Sequence, residues 1–203
     1  MKTYLITLIL GFISTLGFAH QPEVSSTVLA QKENNVWVLQ ISASLTAFQQ
    51  EINIHYADTP YKTPEEFREM VIEHIKNKMN LKVNGAQLNF TNGAVHLGHE
   101  TKVIFEVQEL PEDLNFIEVT NTAFEDIYNS KSFLVVLKDG VDENKFVLSK
   151  DNGYHANLLL TGNKLVQNQE SQASLFSWPL IAGIFGLLFI GLLVARFKSK
   201  QAA

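Results

Sequence analysis

Two apolar stretches without a single charge, residues 4–16 and 175–195, bracket this chain and confine any folded domain to the residues between them. The second runs for 21 residues, enough to cross a hydrocarbon layer of about 30 Å as a helix. Trp178 and Pro179 stand at its leading edge, where an indole favours the headgroup level, and Arg196, Lys198 and Lys200 follow at once. Positive flanks stay cytoplasmic. The pattern therefore predicts a single-pass transmembrane helix over 175–195, a cytoplasmic tail over 196–203 and an outward-facing remainder. The first stretch follows Lys2 and ends in Gly17-Phe18-Ala19, small residues at the −3 and −1 positions a signal peptidase requires. Residues 1–19 read as a cleaved secretory signal, which leaves His20 as the mature N-terminus.

Between the two ends lie 155 of the 203 residues, one ordinary domain with room for a core. All 21 acidic residues fall between Glu23 and Glu170, against 12 of the 16 basic ones. A domain so acidic repels nucleic acid and anionic headgroups, and neither is expected as a partner. Cysteine is absent, which rules out disulfides, thiolate metal sites, cysteine nucleophiles and a cysteine lipid anchor.

The middle alternates. Residues 24–31 and 36–45 read as a hairpin about the turn residues Glu33-Asn34-Asn35. Leu81-Lys82-Val83, Asn84-Gly85 and residues 86–90 form the clearest hairpin signal, because Asn-Gly accepts the two positive φ values of a type I′ turn. Further strands are predicted over 94–97, 101–108, 116–121, 132–138, 145–149 and 155–160. Thr63-Pro64-Glu65-Glu66 is a capping box with proline at the first helical position. Phe67, Val71 and Ile75 then recur at helical spacing, a stripe to pack on a sheet. The expected architecture is mainly β: an antiparallel β-sandwich over 20–160 with one inserted α-helix, a Gln-, Asn- and Ser-rich tether over 161–174, and the transmembrane helix.

Several runs occur together and in order: Leu81-Lys82-Val83-Asn84-Gly85, Leu97-Gly98-His99-Glu100, Ile117-Glu118-Val119-Thr120-Asn121-Thr122, Phe124-Glu125-Asp126-Ile127-Tyr128 and Phe146-Val147-Leu148-Ser149-Lys150-Asp151-Asn152. In this the chain resembles, over about residues 20–160, a family of small exported Bacteroidota proteins classified as a domain of unknown function. The resemblance implies an immunoglobulin-like β-domain, an envelope location and a mature chain that begins with histidine. It implies no activity, and the C-terminal membrane helix departs from the commoner members.

Chemistry-bearing residues are sparse. A mature N-terminal His20 offers an α-amine and an imidazole, a chelate suited to copper. His96 and His99 are its candidate co-ligands, provided a bulge at Gly98 turns them to one face, since residues three apart on a strand otherwise point oppositely. His74 reads as a boundary residue of the helix stripe, and His55 and His155 as loop or strand-edge residues. Asp139-Gly140-Val141-Asp142-Glu143-Asn144 reads as a hairpin loop without the spaced ligands of a calcium loop. Glu125-Asp126 reads as a loop held by backbone amides or as a partner surface. No nucleophile elbow or phosphate-cradling loop is present in the sequence, so no catalytic residue is nominated and no enzyme is expected. The sequence thus predicts a single-pass inner-membrane protein with a periplasmic module that binds an envelope protein. A copper or other metal site at His20, His96 and His99 is the alternative, with no further cofactor expected.

Overall fold

The computed structural model describes residues 23–168, apart from 34, 35, 109 and 112. The predicted signal, His20 and the predicted membrane helix lie outside these residues. Among the described residues no helix is long and apolar enough to cross a membrane. The chain divides after Asn168 into two units, and every element below belongs to the first.

The strands run β1 (Val24–Gln31), β2 (Trp37–Ser44), β3 (Met79–Val83), β4 (Ala86–Gln87), β5 (Asn89–His96), β6 (Glu100–Gln108), β7 (Phe116–Asn121), β8 (Lys131–Leu137), β9 (Lys145–Ser149), β10 (His155–Thr161) and β11 (Lys164–Gln167). Two helices, α1 (Leu45–His55) and α2 (Pro64–Lys78), lie between β2 and β3. One sheet has the order β5-β6-β2-β1-β8-β9 and the other β11-β10-β7-β3-β4. Alternate residues of each sheet turn inward. Leu29, Leu39, Ile41, Phe105 and Leu134 of the first share a core with Leu81, Ile117, Val119 and Leu158 of the second, as in a β-sandwich. All ladder pairs are antiparallel except β1 with β8, which is parallel with Leu29 opposite Val136.

Most predicted strands fall where alternation placed them, and α2 starts on its cap: the Thr63 hydroxyl accepts the Glu66 N–H at 3.2 Å. Four differences are informative. First, the alternation of residues 36–45 ends one residue early, and a second helix begins. Ser44 is still extended, yet its hydroxyl accepts the Ala47 N–H at 3.1 Å, so it serves as the N-cap of α1. Ala47, Phe48, Glu51 and Ile52 then form the buried face. Second, residues 86–90 are not one strand. β4 stops at Gln87, Leu88 tucks into the core, and Asn89 starts β5 on the other sheet.

Third, the bulge of β5 falls between Thr91 and Ala94 rather than at Gly98. Gly93 there passes so close to α2 and β6 that a Cβ would stand 2.8 Å from the Phe105 ring and 3.1 Å from Ile72. Gly98 instead lies in the turn joining β5 to β6. Fourth, Lys164–Gln167, inside the span predicted as a tether, pairs with β10 as strand β11. The acidic 139–144 run is the loop of the β8–β9 hairpin, and it holds this strand through Asp142. Its N–H donates to Asn163 O at 2.7 Å, and its carboxylate accepts from Asn163 Nδ2 at 2.8 Å.

Candidate metal centre

The loop from β7 to β8, residues 122–130, is drawn against both helices. Thr122 donates its N–H and its hydroxyl to the Lys78 carbonyl at the end of α2, at 3.0 and 3.1 Å. The Phe124 ring meets Phe48 of α1 edge-on at 5.0 Å. Lys78 Nζ donates to Glu125 at 2.8 Å, and that hydrogen bond holds the ammonium pKa above its usual value. Three anchors therefore deliver Asp126 to the C-terminal turn of α1.

There Asp126 meets Glu51 and His55, which share one face of α1 because they are four residues apart. One ligand atom from each lies within 4.8 Å of the others. His55 Nε2 is 2.9 Å from Asp126 Oδ2 and 3.5 Å from Glu51 Oε2. An ionised carboxylate only accepts, so Nε2–H donates to Asp126. The Glu51 side chain is 0% exposed, whereas those of His55 and Asp126 are 31% and 41% exposed, so the cluster has a buried floor and an open rim.

The floor is chemically unfinished. Both Glu51 oxygens are buried without a hydrogen-bond partner. Burial, and next the Asp126 charge, push the Glu51 carboxyl up to about 7; the nearby Asp126 backbone N–H and the Lys78 ammonium oppose this more weakly. His74 behaves differently. Its ring lies 5.2 Å from that of His55. Its Nε2 donates to the Ala123 carbonyl at 2.8 Å, and burial holds its pKa below the usual histidine value. It is a core residue of α2 rather than a boundary one.

The comparisons with known proteins add nothing to this geometry. No family model matches the chain, and no curated protein does.

Of the predicted ligands, His20 lies outside the described residues. His96 ends β5 and is exposed; His99 is exposed in the β5–β6 turn, where its carbonyl accepts the Leu45 N–H at 3.2 Å. Neither belongs to the one three-ligand group among the described residues. His155 opens β10 between Thr120 Oγ1 and Asn157 Oδ1, each at 2.8 Å, a strand-edge residue as expected. Glu125 and Asp126 hold their loop through Lys78 and His55 side chains rather than backbone amides. Glu51 was missed because α1 was missed. Its signal is Ser44 followed by apolar residues at 45, 48 and 52, with Glu51 and His55 in the same register. A further cleft of about 210 Å³ lies between Leu45, Gln49, Tyr61, Phe67 and Leu97, without any acidic residue or histidine in its lining.

Proposed function

We propose that this protein is an exported, membrane-tethered β-sandwich module of the cell envelope that works by binding a partner protein and not by turning over a substrate. The observation that carries the reading is the uncharged 175–195 stretch followed at once by Arg196, Lys198 and Lys200, behind an acidic sandwich. Lys2, the apolar 4–16 run and Ala19 support export, and His20 is then the first mature residue. In this reading the sandwich is immunoglobulin-like, and the chain is kin to the Bacteroidota family it resembles. Tyr128, 86% exposed at the tip of a loop whose neighbours Phe124 and Ile127 are buried, offers a partner a large aromatic contact on a fixed base.

The test is to express the full chain with a C-terminal tag in a Gram-negative host. Protease added to spheroplasts should remove the sandwich and leave only a small tagged membrane fragment, and the intact mature chain should begin at His20. Recovery from the cytosol with Met1 intact would overturn export. A photo-crosslinking residue placed at position 128 should give one discrete envelope adduct; no adduct at that position would defeat the partner surface.

A further inference from the structure

We propose that Glu51, His55 and Asp126 bind one divalent transition-metal ion, with zinc the reference ion. This goes beyond the envelope reading and stands whichever side of the membrane the domain occupies. Two independent observations point to it. The first is convergence: an imidazole nitrogen and two carboxylate oxygens from α1 and the 122–130 loop meet within 4.8 Å. The ligand atoms of a tetrahedral zinc site, with bonds near 2.0–2.1 Å, stand about 3.3 Å apart. The two separations from His55 Nε2, 2.9 and 3.5 Å, straddle that value.

The second observation is Glu51 itself. A fully buried carboxylate with neither oxygen hydrogen-bonded is a costly arrangement in a folded protein. A proton quenches its charge but still leaves an acceptor oxygen orphaned. A cation answers both oxygens and neutralises Asp126 as well, because two carboxylates and a neutral imidazole balance one divalent charge. The ion takes the Nε2 lone pair of His55, whose single proton then sits on Nδ1, and the ion stands where Asp126 now accepts the Nε2–H.

The donor set also selects. One imidazole with two carboxylates suits zinc, manganese or ferrous iron. Calcium, which seeks six to eight oxygens, finds too few. The exposed rim formed by His55 and Asp126 supplies an entry path, and it leaves the fourth position of the ion facing solvent. The loop that carries Asp126 is anchored at Thr122, Phe124 and Glu125, so the ligand is largely pre-positioned.

The test uses the full chain in detergent, stripped with chelator and titrated with cobalt(II), then with zinc(II) in competition against a chromophoric chelator. One equivalent should bind, cobalt should give visible d–d bands, and zinc should raise the melting temperature of the wild-type chain. Glu51→Gln, which keeps shape and folding, and Asp126→Asn, on the exposed loop, should each weaken binding more than ~100-fold. An added residue before His20, or His96→Ala with His99→Ala, should leave it unchanged. No binding, or binding indifferent to both Glu51→Gln and Asp126→Asn, would overturn the site. Loss of binding on blocking His20 would overturn it in favour of the N-terminal chelate. None of these outcomes bears on export, which the protease experiment reads separately.

Discussion

Asn121 and Glu51 are both buried polar side chains that meet the 122–130 loop, yet the protein treats them in opposite ways. Asn121, at the end of β7, donates to Thr27 Oγ1 at 2.8 Å and accepts from the Ala123 N–H at 3.1 Å. Thr27 in turn meets Ser132 at 3.0 Å. This network links the two sheets across the core and is closed within itself. Glu51 has the same degree of burial, and both of its oxygens are without a hydrogen bond. Burial of a polar group is therefore not by itself a sign of function: one cluster is complete as built, and the other leaves two buried acceptor oxygens open.

Asn121→Ala removes two hydrogen bonds and orphans the buried Ala123 amide, so it should lower unfolding free energy by about 3–4 kcal/mol. Chemical denaturation measures this, and a loss below about 1 kcal/mol would show that the network is not a closed structural one.

Next in size is the pH dependence of the metal-free chain. Glu51 has an ordinary pKa of 4.5 and a folded value of about 7, so between these values the folded state holds more proton than the unfolded. Its contribution is then fully present below about pH 4.5 and is lost as pH rises through 7, by about 3 kcal/mol over the window. The groups around it are Asp126 and Glu125 on the loop, His55 on α1, and His74 and Lys78 on α2. His74 acts the other way. Its depressed pKa means stability is lost as pH falls below the ordinary histidine range. The difference between wild type and Glu51→Gln isolates the carboxylate, and a difference that stays flat from pH 4.5 to 7 would contradict its burial cost.

A smaller effect carries the reverse sign from Asn121. Glu51→Met replaces an unsatisfied buried carboxylate by an apolar side chain of similar length, so the metal-free chain at pH 8 should gain about 1–2 kcal/mol. A loss in the same denaturation experiment would mean that Glu51 is satisfied after all. Smallest is Lys78→Met. The Lys78 and Glu125 side chains are 25% and 37% exposed, and removal of the pair should cost under about 1 kcal/mol in the same assay.

Alternation made β1, β7, β9 and β10 legible, and the cap at Thr63 with proline behind it made α2 legible, because these signals are local and complete in a few residues. α1 was hidden for a local reason too. Ser42-Ala43-Ser44 alternates as a strand does, and the small side chains carry no bulk to distinguish the periods. The switch at Leu88 and the pairing of β11 were illegible for another reason: each depends on which sheet has a free edge to offer. The candidate site shared both difficulties, since two ligands lie on the hidden helix and the third arrives from 71 residues away along the chain.

By itself, the sequence determined the class of the domain, its punctuation into strands, its acidic balance and the two uncharged ends, since periodicity, turn chemistry and charge are written residue by residue. Tertiary structure alone decided that Glu51 is buried with neither oxygen hydrogen-bonded and that Asp126 stands beside it. The cost of burying a charge depends on what else is buried beside it, and no single stretch of chain contains that information.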